Sequence, residues 1–229
     1  MIVRNETDRH LDRCLESVGA ILAATGGVLI ATDDASTDRT IDALAHVDRV
    51  QLQFTPEPLF WEHEGRARQR HQLWIDQHAS PGDWILCLDG DETVNKPELV
   101  LSVAQRAQEL HKVCVGLPLY EFWSETHYRT DGFWFGTKAT RLYAWREGGK
   151  IADKAMGCGS EPTYVRSEAL TGGPYHQHAL HLLHWGYLRE QDRIIKHERY
   201  SERLGGHGHN NVHVESIVKR PTLERYDSE

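Results

Sequence analysis

Residues 84–92, Trp-Ile-Leu-Cys-Leu-Asp-Gly-Asp-Glu, constrain the fold more than any other stretch of the chain. Five consecutive apolar residues, Trp84 to Leu88, read as a strand buried on both faces, as inside a mostly parallel sheet. The run ends abruptly in three acids around one glycine. In open α/β sheets, ligands bind at the carboxyl ends of buried strands. Gly90 permits a turn sharp enough to bring Asp89 and Asp91 into one space. Two converging carboxylates suit a hard divalent cation that keeps positions open for the oxygens of a diphosphate. The same residues also read as an acidic turn into the next element, because Asp and Gly are ordinary turn residues.

The preceding sequence alternates strand and helix patterns. Met1–Arg4 forms a short apolar strand, and a helix start at Asn5–Thr7 leads into Leu11, Leu15, Val18 and Leu22 at helical spacing, ended by Gly26-Gly27. Val28–Thr32 is a second buried strand, followed at once by Asp33-Asp34-Ala35-Ser36-Thr37-Asp38. Ser36 or Thr37 is expected to cap a helix over 38–45. Residues 50–54 alternate as a third strand, a helix pattern covers 64–78, and Pro81-Gly82 turns into the Trp84 strand. This order specifies a Rossmann-like, mostly parallel sheet with helices on both faces. Two of its strands end in acid clusters on the same edge.

After a helix over 95–110, with Pro97 in its first turn, the pattern changes. Aromatic-rich strand segments at 113–119, 133–135 and 141–145 point to a smaller mixed subregion. A loop covers 148–159, a last strand 181–187, and a charged amphipathic helix 188–204. The glycine-rich segment 205–211 follows. The expected organisation is one domain over 1–229, with a ligand-binding half (1–92) and a second half (93–229).

A net charge of -8 argues against a protein that grips nucleic-acid backbones indiscriminately, without excluding a local cationic pocket. No apolar run approaches the roughly 18 to 20 residues a membrane-spanning helix needs, and no signal-peptide pattern is present. The four cysteines are scattered, so packed thiols in a reducing cytoplasm are expected.

Four segments together resemble the family 2 glycosyltransferases with the GT-A fold: Met1-Ile2-Val3-Arg4-Asn5-Glu6, Asp33 to Asp38, Ala67-Arg68-Gln69, and Trp84 to Glu92. His184-Trp185-Gly186-Tyr187 is similar to an H-[YW]-G-Y segment near the end of many members. Ala35 stands where the family usually has glycine, Gln69 where it has asparagine, and Ser160 where it has the histidine of a His-Glu pair. The resemblance implies a metal-dependent transferase that moves a sugar from a nucleotide diphosphate sugar, with UDP favoured, to an acceptor hydroxyl. The acceptor classes left open are a glycan, a lipid-linked glycan, a protein and a modified nucleic acid.

By that resemblance Asp91 holds Mn²⁺ or Mg²⁺, with Asp89-Gly90-Asp91 as the family's D-x-D motif. His184 is a third-element ligand that suits Mn²⁺. Val3, Asn5, Glu6 and Asp33 would lie beside the base or ribose, Arg68 would reach the base or phosphates, and Asp89 would contact the ribose. Inverting transfer needs a base for the acceptor hydroxyl. Glu161 is the candidate, aimed by Pro162 after it, with Asp153 in reserve. Trp123, Trp134 and Phe135 are candidates for stacking on a sugar acceptor or for core packing. His207 or His209 would touch the diphosphate if 205–211 closes over it. Two rival readings remain: a metal-dependent hydrolase built on His176, His178, His181 and His184, and a non-catalytic nucleotide-sugar binder.

Overall fold

A computed structural model describes residues 1–157, 159–204 and 210–227. In chain order the elements are β1 (Ile2–Val3), α1 (Leu11–Thr25), β2 (Leu29–Asp33), α2 (Thr40–Ala45), β3 (Val50–Phe54) and α3 (Glu64–Asp76). Then come β4 (Trp84–Leu86), β5 (Glu92–Val94), α4 (Val100–Glu109), β6 (Cys114–Glu121), β7 (His127–Arg129) and β8 (Lys138–Ala144). The chain continues with α5 (Thr163–Thr171), β9 (Tyr175–His176), β10 (Leu182–His184), α6 (Glu190–Leu204), α7 (Asn210–Ser216) and β11 (Leu223–Arg225).

The alternation in the first half produces parallel pairing, with β1, β2 and β3 side by side in that order. The fourth strand departs from expectation. β4 pairs antiparallel with β8, Trp84 opposite Ala144, and so belongs to a six-stranded mixed sheet ordered β4-β8-β6-β10-β5, with β9 beside β6. The expected single, mostly parallel sheet is therefore two sheets, one parallel and one mixed. A strand–helix alternation predicts which strands run parallel only while neighbours in space are neighbours in sequence. The partner of β4 arrives some fifty residues later. β4 is also shorter and more exposed than five apolar residues suggest: Trp84 to Cys87 are each half-buried, and only Leu88 is fully enclosed.

The helix expected from residue 5 begins at Leu11 because residues 5–7 have other work. Their backbone N–H groups donate to Ser36 Oγ, Thr40 Oγ1 and Asp38 Oδ2, pinning β1 to the turn after β2. Ser36 and Thr37 consequently do not cap α2; Asp38 accepts from the Thr40 N–H instead. Ala35 sits at φ 58°, the left-handed region where glycine is favoured. From Leu11 onward α1 buries Leu11, Cys14, Val18 and Leu22 on one face, and Gly26 at φ 72° returns its N–H to the Leu22 carbonyl. That face packs in the main core with Ala31, Leu88, Val115, Leu117 and Leu182.

A second, aromatic core lies under α6 and α7. Trp123 stacks on Tyr187 at 4.9 Å and meets Trp134 edge-on at 4.8 Å. Arg129, 1% exposed, has its guanidinium 4.9 Å from both indole rings, forks onto Asp131 and donates to the Ser216 carbonyl. Of the three aromatics considered for acceptor stacking, Trp123 and Trp134 are thus core residues, while Phe135 is exposed. Residues 133–135, expected as strand, form a single tight helical turn over Gly132–Trp134. The segment 163–171, unassigned from sequence, is α5.

α3 is docked end-on against the loop at 152–157. The N–H groups of Glu64 and Gly65 donate to the Ala155 and Lys154 carbonyls, and Glu64 Oε2 accepts from the Gly157 N–H. A Cβ on Gly65 would lie 2.4 Å from the Ala152 carbonyl oxygen and 2.7 Å from the Lys154 nitrogen, both backbone atoms that cannot rotate away. Gly65→Ala is expected to cost about 1–3 kcal/mol in urea denaturation and to increase proteolytic cleavage at Lys154.

Candidate active site

A cleft of about 470 Å³, within the roughly 300–1,000 Å³ usual for small-molecule sites, opens where β1, the 89–92 turn and the ends of β6 and β10 meet α6. Val3, Glu6, Arg68, Asp89, Gly90, Asp91 and His184, all singled out from sequence, line it. Gly90 is needed for closeness: a Cβ there would stand 3.0 Å from Val3 Cγ1 and 3.3 Å from Glu6 Cγ. The acid turn is thereby pressed against β1.

The two aspartates face different cations. Asp89 Oδ2 accepts from Arg141 Nη2 at 2.9 Å, and Arg68 Nη1 stands 3.7 Å from its Oδ1. Arg141 also reaches Glu92 Oε1 at 2.7 Å, and Glu92 Oε2 accepts from the Asp89 N–H. Glu92 is 3% exposed, a buried brace of the turn rather than a solvated acid. Burial works to raise the Asp89 carboxyl, but Arg141 and Arg68 overcome it and lower it. At Glu92 burial prevails and raises it, despite Arg141.

Asp91 turns the other way. Its Oδ2 lies 3.2 Å from Lys196 Nζ and 3.2 Å from His184 Nε2, and its carbonyl accepts from the Trp185 N–H. Burial again opposes the charge, yet Lys196 and His184 hold this carboxyl well below the usual range. Burial depresses His184, but Glu121, in contact with its Nδ1, and Asp91 together carry it up to about 10. Gly186 leaves room at the centre: a Cβ there would be 2.1 Å from Lys196 Nζ, 2.2 Å from Asp91 Oδ2 and 2.6 Å from His184 Nε2.

The donor set fits a divalent cation. Bonds of about 2.1 Å at a right angle place two ligands about 3 Å apart, close to the Asp91–His184 separation. A ligating histidine normally gives its other ring N–H to a carboxylate, the position Glu121 occupies. Among the described residues no group of three or more His, Cys, Asp or Glu side chains is arranged around one point. A bound ion would therefore take its remaining ligands from water or phosphate. His181 instead bonds Tyr226 and the His178 carbonyl, and neither it, His176 nor His178 lines the cleft.

Four other sequence candidates lie off the cleft lining. Asn5 Oδ1 accepts from the Thr37 N–H, and Asp33 Oδ1 accepts from the Ser36 N–H, so both hold the 33–38 turn. Asp33 Oδ2 is buried with no hydrogen-bond partner among the described residues. It is Asp34 that lines the cleft, with its oxygens accepting from the Leu59 and Phe60 N–H groups and shaping that wall. Glu161 bonds Arg166 at 3.0 Å, and Asp153, 77% exposed, stands 3.4 Å from His63. His207 and His209 lie outside the described residues.

Lys196, Arg141, Glu121 and Ser160 were not singled out for these roles from sequence. Ser160 Oγ accepts from Arg68 Nη1 at 2.8 Å and also bonds Arg141. Asp192 and Lys196 lie in the charged helix expected over 188–204. Both are 7% exposed, whereas Ile194 and Ile195 of the same helix face outward. Asp192 instead meets Arg9 at 3.3 Å. Across the mouth, Arg199 of α6 stands 4.2 Å over the Trp61 ring.

Residues 1–170 match the family described as Glycosyl transferase family 2. A comparison with curated proteins finds no match. Among solved structures, S. aureus TarS 1-349 is similar with a TM-score of 0.52 at 14% identity, covering 95% of this chain and 67% of that one. Another S. aureus TarS structure gives 0.50 at 15% identity, covering 95% and 41%. At these identities the likeness is one of fold. Among the described residues no helix is long and apolar enough to cross a membrane.

Glu6 offers a pH signature for the cleft. Burial, opposed by Arg9, raises its carboxyl from 4.5 to about 7, and its Oε2 is enclosed with no hydrogen-bond partner among the described residues. A raised carboxyl contributes stability that is complete below the unfolded value and lost as pH climbs through the folded one. Between pH 4.5 and 7.5 the wild type is expected to lose about 2–3 kcal/mol from this group. Glu6→Gln is expected to flatten that slope in urea denaturation series.

Proposed function

The chain belongs to glycosyl transferase family 2 and is a glycosyltransferase, and we propose that this cleft moves a sugar from a nucleotide diphosphate sugar, UDP favoured, to an acceptor hydroxyl with Asp91 and His184 holding Mn²⁺ or Mg²⁺. The observation that carries this is the 3.2 Å approach of Asp91 Oδ2 to His184 Nε2 on the cleft floor, with Glu121 behind the ring. When bound, the cation supplies positive charge against the charge that develops on the departing diphosphate.

The chain's own residues do the rest. Arg141 holds Asp89 Oδ2 at 2.9 Å, while Oδ1, 3.7 Å from Arg68 Nη1, keeps the capacity to accept from a ribose hydroxyl. Arg9 and Arg199 line the cleft and add positive potential where phosphates would lie. Phe60 and Trp61, held on the wall that Asp34 shapes, offer flat surfaces for a base. Glu161 is the proposed base of an inverting transfer, with Asp153 in reserve. Ser160 beside Glu161 is bonded to Arg68 and Arg141, tying this segment to the cleft. To act, Glu161 exchanges Arg166 for the acceptor hydroxyl.

A thermal-shift panel of nucleoside diphosphates with and without Mn²⁺ tests the donor site. UDP with Mn²⁺ is expected to stabilise by about 3 kcal/mol at a hundredfold excess over its dissociation constant, and Asp91→Asn to abolish the metal-dependent part. Equal stabilisation of Asp91→Asn would overturn the metal assignment. Glu161→Gln is expected to keep donor binding and to slow transfer by about 10²–10⁴-fold. Tight donor binding by the wild type without turnover of any acceptor or of water would favour the non-catalytic reading.

A further inference from the structure

Resting on the reading of Asp91 and His184 as cation ligands, we propose that Lys196 is a tethered counter-ion that keeps the divalent cation out of the donor-free cleft, so that metal and nucleotide diphosphate load together. Lys196 Nζ lies 3.2 Å from Asp91 Oδ2 and 3.4 Å from His184 Nε2, the same two atoms that would bind the metal. An ammonium that close to both leaves no room for a divalent ion, and its charge already offsets that of Asp91. The side chain is 7% exposed, and its ammonium sits 4.4 Å over the Tyr187 ring, so it does not readily move to solvent.

A diphosphate changes this balance. It brings at least two negative charges into a cleft lined by Arg9, Arg199 and Lys196. A lysine ammonium is a point charge on a flexible four-carbon stem. It can leave Asp91 for a phosphate oxygen a short distance away, freeing the carboxylate for the cation. Lys196 would then add its charge against that developing on the leaving diphosphate. By linkage, the factor by which the nucleotide tightens metal binding equals the factor by which metal tightens nucleotide binding.

Mn²⁺ binding to the full chain, followed by the paramagnetic resonance of free Mn²⁺, tests this without reference to activity. The wild type is expected to bind Mn²⁺ at least tenfold more tightly with UDP than without. Lys196→Met, without nucleotide, is expected to bind it at least tenfold more tightly than wild type, with the UDP effect reduced in proportion. Adding Asp91→Asn to Lys196→Met is expected to remove that gain. Donor-free affinity of a folded Lys196→Met at or below the wild-type value overturns the proposal. So does a wild type whose Mn²⁺ affinity is the same within twofold with and without UDP, a measurement that needs no variant. If the double variant binds Mn²⁺ as tightly as Lys196→Met, the ion is not at Asp91 and the underlying metal reading fails instead.

Discussion

Pairing of buried charge at the 89–92 turn is the constraint on which the cleft depends. Three carboxylates within four residues cannot be enclosed together unless cations from elsewhere meet them, since an unpaired buried charge costs several kcal/mol. The fold brings Arg141 from β8, Arg68 from α3, and Lys196 from α6 to one place. These elements are distant in sequence, so the mixed sheet and the C-terminal helix are required for the turn to exist as built. Splitting the cations between the two aspartates leaves Asp89 braced by arginines and Asp91 held by Lys196 and His184.

The parallel half was legible because strand and helix periods are local. Apolar spacing in α1 and the apolar start of β2, Leu29-Ile30-Ala31, reflect burial by immediate neighbours. Antiparallel return strands carry no such local mark: nothing in Lys138–Ala144 states that it will lie beside Trp84 rather than beside Val3. The amphipathic pattern of α6 was legible as a helix but not in its orientation. Its buried face carries ion pairs to Asp91, Arg9 and His10, while Ile194 and Ile195 face outward.

The cleft shows the same division. Asp89, Gly90, Asp91 and His184 were readable because they sit in short contiguous motifs. Arg141 and Lys196 were not, because a lone basic residue in a strand or charged helix is ordinarily a solvated one. Glu161 and Asp153 show the limit from the other side. The motif places Glu161 one residue from Ser160, which grips two of the arginines, yet its own carboxylate is turned to Arg166. Sequence adjacency gives proximity along the chain; it does not give the direction of a side chain.

Gly186 gives these arrangements a common origin. Asp91, His184 and Lys196 converge around the spot where every other amino acid carries a carbon. The convergence is bounded by a piece of main chain, with no side chain crowding one flank of the triad. Removing one atom from the covalent structure thus creates the space in which a carboxylate, an imidazole and an ammonium can meet. The glycine of the His184-Trp185-Gly186-Tyr187 segment determines whether three polar groups can converge.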